Sequence, residues 1–196
     1  MVRHRSLFIV AFAAAALLFC GPAGSAESPR TLEITDMAGR KVSVPSDPAR
    51  VVAVAPGTAR LIVYMGLHER LVGIEKLEKK HPRGRPYWLA KKKRLSALPV
   101  IGPGGPPVIN NPPDIEPLMK VKPDVLFTSL LDASKADRLQ EKIKIPVVVL
   151  SYGDFASFDD TVFDSLRLLG RIFKKDGRAE AVVVFVRGKI ADLKRR

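Results

Sequence analysis

Val51-Val-Ala-Val-Ala55, followed at once by Pro56-Gly57-Thr58, decides the fold. Unbroken apolarity, rather than alternation, suits a strand buried on both faces, as in a parallel sheet. Pro56-Gly57 ends the run, and Thr58 is placed to cap a helix over 59–65 that Gly66 stops. Similar runs recur at Leu71-Val-Gly-Ile74, Pro99-Val-Ile101, Asp124-Val-Leu-Phe127 and Pro146-Val-Val-Val-Leu150. Asp114 is placed to cap a helix running through Met119, with Pro117 in its first turn. Residues 134–143 form an amphipathic helix with Ala136, Leu139 and Ile143 on one face. Strands alternating with helices predict an α/β lobe of three layers around a parallel sheet. In such sheets the functional loops lie at the carboxyl ends of the strands.

Outside this unit, Leu32-Glu-Ile-Thr-Asp36 and Lys41-Val-Ser-Val-Pro45 alternate with period two around Gly39, which predicts a β-hairpin. Residues 75–94 are basic and interrupted by Pro82, Gly84 and Pro86, so a loop is expected, with one short helix over 87–92. The Gly- and Pro-rich residues 102–113 are expected to be irregular. At the far end, Ser157 or Asp159 caps a predicted helix over 161–196, nicked at Gly170 and Gly177. Such a helix would be about 50 Å long, more than the face of one small lobe needs.

The N-terminus reads as an export signal. Arg3 and Arg5 precede an apolar run over 7–19, and Gly24-Ser25-Ala26 offers small residues for cleavage after Ala26. The run is shorter than the ~20 residues of a membrane-spanning helix. Cys20 is the sole cysteine, and lipidation there is the less favoured alternative, because Phe19 stands where that processing prefers a small side chain. If Cys20 leaves with the signal, the mature chain has no disulfide and no thiolate chemistry.

A hydrophobic content of 46% fits a packed core, so disorder is not expected. The net charge of +13 falls to +11 without Arg3 and Arg5, an excess that favours anionic ligands or surfaces. Nucleic acid is a poor partner for an exported chain. There is no Ser-His-Asp order, no paired carboxylates in a cleft context and no metal motif, so neither catalysis nor a cofactor is expected. His68 and His81 stand apart, without carboxylates at ligand spacing.

Several short motifs in order resemble one family. They are Asp36-x-x-Gly39-Arg40-x-Val42, Pro48-x-Arg50-Val51-Val52, Met65-Gly66 and Leu71-Val72-Gly73. They continue as Pro113-Asp114-Ile115-Glu116, Lys122-Pro123-Asp124-Val125-Leu126 and Ile145-Pro146-Val147. The set resembles the periplasmic substrate-binding proteins of ABC importers for iron–siderophores, haem and cobalamin. That resemblance implies two α/β lobes joined by a long helix, a metal-chelate ligand in the cleft between them, and a permease of the inner membrane as partner. It covers a first lobe over 31–156 and the linking helix over 157–196. A second lobe has no counterpart here, so either the chain is an incomplete fragment or a truncated gene product, or a partner chain supplies the other half. The resemblance also makes Glu116 an exposed residue that docks on permease arginines. Stabilisation of its own helix N-terminus is the plainer role, and the two are compatible.

Candidate ligand contacts follow from chemistry and position. Arg83 and Arg85 could hold carboxylates or phosphates of an anionic chelate, with Tyr87 and Trp88 stacking on its flat part. Trp88 fluorescence would then respond to ligand. Pro56, Gly57, Thr58 and Arg60 open the helix after the first buried strand, where backbone N–H groups meet anions. Gly104 and Gly105 permit close backbone approach, and Ser129 ends a later strand. A different class of function, an exported interaction module, would use Leu166, Leu169, Phe173, Val182, Phe185 and Ile190 as a surface on the long helix.

Overall fold

The computed structural model describes residues 30–105, 113–153 and 158–196. The export signal, Cys20, Ser157 and most of the irregular 102–113 stretch lie outside them. The hairpin forms as expected, from β1 (Thr31–Thr35) and β2 (Lys41–Pro45). Then come β3 (Val51–Ala53), α1 (Thr58–Tyr64), β4 (Leu71–Gly73) and three short helices, α2 (Lys76–Lys80), α3 (Pro86–Ala90) and α4 (Lys92–Ala97). After α5 (Ile115–Lys120) follow β5 (Val125–Ser129), α6 (Ala133–Ile143), β6 (Val147–Leu150), α7 (Asp160–Ile172) and α8 (Asp176–Arg195).

The sheet has strand order β4-β3-β5-β6 and is parallel throughout. Alternate side chains feed two cores, as strand geometry requires. Val51, Ala53, Val125, Phe127, Val148 and Leu150 pack in the cluster with α1, α7 and α8. Val52, Val54, Leu126, Val147 and Val149 pack in the cluster with α5 and α6. The result is a three-layer α/β lobe. The strand expected over 99–101 is reduced to one parallel bridge, Val100 to Ile74, at the sheet's edge.

Three expectations need correction. The basic stretch is helical rather than loop, because Tyr87, Trp88, Leu95 and Leu98 turn inward and anchor it to the core. The helix-start residue of α1 is Gly57, at φ 78°, while Thr58 is the first helical residue and is buried. Likewise, Asp114 holds the N-cap position of α5 without a side-chain cap bond.

The third correction concerns the long C-terminal helix. It is two helices folded back on each other. Lys174 sits in the left-handed region at φ 53°, Lys175 N–H donates to the Gly170 carbonyl at 2.8 Å, and the chain reverses. Phe173, immediately before the reversal, is buried against Phe127 with ring centroids 5.8 Å apart. Gly170 then lets α8 come close, since a Cβ there would lie 3.0 Å from the Cβ of Ala179. Ion pairs fix the antiparallel register: Arg167 with Glu180 at 2.6 Å, and Arg187 with Asp160 at 2.6 Å. Asp159 caps α7, accepting from Thr161 and Val162 N–H. Folding back buries Leu166, Leu169 and Phe173, so the surface expected from them does not exist, and Val182 is buried too. Phe185 is exposed, at 64%, and Ile190 is half-buried.

Candidate functional site

The chain leaves β3 toward β4 on one side, and β5 pairs on the other side of β3. The carboxyl ends of β3 and β5 therefore border the crevice where the winding direction reverses, the usual ligand position in open α/β sheets. A cavity of about 140 Å³ lies there. Val54, Leu131 and Leu139 give it apolar surface; Pro56 and Thr128 come from the two strand ends. A strap over Gly102 to Gly105 closes one side, and Pro113 and Asp114 form part of the rim.

The strap is held to the start of α2. Lys76 N–H donates to the Gly102 carbonyl at 2.8 Å and Leu77 N–H to the Pro103 carbonyl at 3.0 Å. Gly104 lies at φ 65° and Gly105 at φ 96°, conformations natural to glycine. A Cβ on Gly104 would fall 2.8 Å from the Cβ of Glu75, so only glycine lets the strap lie this close to that side chain.

Glu75 is the residue that sequence reasoning missed. It follows β4 and the bridge residue Ile74, and its side chain lines the cavity. Burial pushes its carboxyl above the ordinary glutamate range, against a hydrogen bond from the Ala55 N–H that acts in the opposite direction. Ala55 itself has φ 69°, an unusual conformation for a non-glycine residue and one often found at functional sites. The available signal was position alone, at the carboxyl end of a parallel strand.

Of the expected contacts, Pro56, Gly104 and Gly105 do line the cavity. Ser129 does not line it but ties its two strand ends together, donating to the Pro56 carbonyl at 2.8 Å. Gly57 and Arg60 face the neighbouring Tyr152 and Phe158, and Thr58 is buried at the start of α1. A Cβ on Gly57 would lie 2.4 Å from the Tyr152 Cβ. Arg60 donates to the Tyr152 carbonyl at 3.2 Å and lies 4.9 Å over the Phe158 ring.

The second expected group does not reach the cavity. Trp88 is only 2% exposed and Tyr87 8%, both within the core that α1 shares, so neither can stack on a ligand as they stand. The Tyr87 hydroxyl donates to the Glu78 carboxylate at 2.8 Å, and burial together with that charge raises its pKa strongly. Arg85 pairs with the same carboxylate at 3.1 Å. Arg83 is exposed on the loop before α3. The arginines expected to attract an anionic chelate are thus bound elsewhere or outside, and among the described residues the ionisable side chains lining the cavity are Glu75 and Asp114.

Glu116 is exposed on the first turn of α5, two residues from the rim residue Asp114, and pairs with Lys120 at 2.8 Å. His68 sits 3.5 Å from Glu69, and His81 is exposed. Among the described residues, no three His, Cys, Asp or Glu side chains are grouped to hold a metal ion. No described helix is long and apolar enough to cross a membrane.

Comparison with known proteins agrees with this architecture. An ABC transporter substrate-binding lipoprotein of Bacillus subtilis, YvrC, itself uncharacterized, is 21% identical over 165 residues, covering 83% of this chain and 46% of its own length. A periplasmic solute binding protein of Veillonella parvula superposes with a TM-score of 0.66 at 24% identity, covering 85% of this chain and 48% of that one. The periplasmic catecholate-siderophore binding protein VctP of Vibrio cholerae superposes with a TM-score of 0.60 at 23% identity, covering 83% and 52% respectively. The chain therefore spans about half the length of the relatives it matches. The sequence profile described as periplasmic binding protein matches residues 51–196, all of the lobe from β3 onward. This chain belongs to the periplasmic binding protein family.

Proposed function

We propose that the chain is the solute-binding component of an ABC importer, holding an iron–siderophore or related metal chelate outside the inner membrane and passing it to a permease. The observation that carries this reading is the cavity at the β3–β5 switch point, bordered by the Gly102–Gly105 strap and by Asp114. The family adds the solute-binding class, and one structural neighbour is named for a catecholate siderophore. The reading is passive binding, without a cofactor.

Within this reading Glu116 docks on the permease. Its carboxylate is exposed close to the rim, and its partner Lys120 is a solvated i,i+4 neighbour that a permease arginine would readily replace. The mature chain begins after the export signal over 1–26, with Cys20 removed rather than lipidated.

Calorimetric titration with ferric hydroxamates, ferric catecholates, haem and cobalamin tests the proposal. At least one should bind saturably at one site per chain. No heat and no saturation with any of them would defeat it.

A further inference from the structure

The cavity is too small for a whole metal chelate and carries a carboxylate where an anion site would carry cations. It encloses about 140 Å³. Pockets that enclose a drug-sized ligand run to about 300–1,000 Å³. Only one arm of a larger solute can enter, with the metal centre left outside.

The polar character of that space is set by Glu75. Its carboxylate has about four acceptor positions, and the Ala55 N–H acts on it in favour of the charged form. The charged groups that act on it are Glu78, on α2, and Arg85, ahead of α3. These two are already paired with each other at 3.1 Å, so the guanidinium charge is largely taken up. Asp114, at the start of α5, adds a second acid at the rim. From β3, β5 and α6 the cavity receives Val54, Pro56, Thr128 and Leu139, none of them charged. Gly104 lies directly over the Glu75 side chain and limits where it can move. A carboxylate held in place and partly stripped of water has strong demand for a donor, and a charged donor gives roughly twice the hydrogen-bond strength of a neutral one.

We propose that Glu75 is a ligand-binding residue and that this cavity selects a solute arm ending in an ammonium or comparable hydrogen-bond donor. The inference rests on the reading of the cavity as the solute site. It reverses the anion preference that the net charge of +13 suggests, because no cation stands among the described residues that line the cavity.

A matched pair of probes tests it: ferrioxamine B, a ferric trihydroxamate with a free pentylammonium arm, and its N-acetyl derivative, which lacks the charge. The unmodified chain should bind the ammonium form about tenfold more tightly at neutral pH, one charge-assisted contact being of that order. That preference should shrink as pH falls and Glu75 takes up a proton, and it should vanish in Glu75→Gln with an unchanged circular dichroism spectrum. Equal binding of both probes by the unmodified chain overturns the proposal, and this comparison needs no variant. So does a preference that survives in folded Glu75→Gln. If neither probe binds but another chelate does, this inference fails alone; if no chelate binds, the functional reading fails with it.

Discussion

Arg40 and Asp36 form a buried ion pair that fastens the hairpin to the sheet. Arg40 Nη2 and Nε lie 2.8 and 3.1 Å from Asp36 Oδ2, which also accepts from the Val149 N–H of β6 at 3.1 Å. Asp36 Oδ1 takes the Ala38 and Arg40 N–H groups at 3.0 Å each, so the carboxylate is fully engaged. Arg40 reaches on to the Val147 carbonyl and, at 2.7 Å, to Asp137 on α6. Removing one member of a buried pair strands the other, which costs about 3–5 kcal/mol, whereas an exposed partner contributes about 0–1 kcal/mol. Arg40→Ala should therefore lower stability by about 3–5 kcal/mol, and Asp137→Ala by less than about 1 kcal/mol, in urea unfolding.

The switch point should be sensitive at two positions. Gly57→Ala forces φ 78° on a residue with a side chain and drives its Cβ to 2.4 Å from that of Tyr152. A loss of about 1–3 kcal/mol is expected, since left-handed strain alone is of this order. Ser129→Ala removes the 2.8 Å bond to the Pro56 carbonyl. It should cost about 1–3 kcal/mol if that acceptor stays unpaired. Thermal unfolding of both variants beside the parent checks these values.

Glu75 should make stability depend on pH with a definite sign. Its folded-state pKa is raised above the ordinary value of 4.5, by burial first and by Glu78 in addition. The native state then holds the proton more tightly than the unfolded chain does. That contribution is fully present below the unfolded pKa and is lost as pH rises through the folded value. Glu75→Gln should thus be no more stable than the parent in acid, and more stable than it at neutral pH. Parallel denaturant titrations across that range check the crossover; a gap that widens toward acid would contradict the assignment.

Trp88, at 2% exposure, should show blue-shifted emission and little quenching by acrylamide or iodide. Its fluorescence should change little on solute binding, because it does not line the cavity. Exposure of the indole to iodide in the folded chain would mean that α3 does not pack as described.

The sheet was legible because β3 and β6 are continuous apolar runs and β5 opens on one, as strands buried on both faces do. The α7–α8 reversal was not legible. Helical spacing continues across it, and the residue that turns the chain is Lys174, neither Gly nor Pro. What stops α7 is tertiary: Phe173 packing on Phe127, far away in sequence. The same holds for the basic stretch, where a few inward anchors such as Trp88 and Leu95 are outnumbered by surface lysines and arginines. In the site, Pro56, Gly104 and Gly105 could be placed from strand ends alone. The arginines could not, since Glu78 for Arg85 and the Tyr152 carbonyl for Arg60 become their partners only in three dimensions. Glu75 was hidden by standing first in a run that reads as solvated charge.

The central claim is that solute enters at the β3–β5 switch point. Amide chemical-shift mapping tests it directly, by titrating isotope-labelled chain with whichever chelate gives calorimetric saturation. Val54, Ala55, Glu75, Gly104, Gly105 and Thr128 should shift together with one saturation curve. Shifts confined to a second groove, lined by Tyr64, Val182 and Phe185, with those cavity amides unmoved, would contradict it.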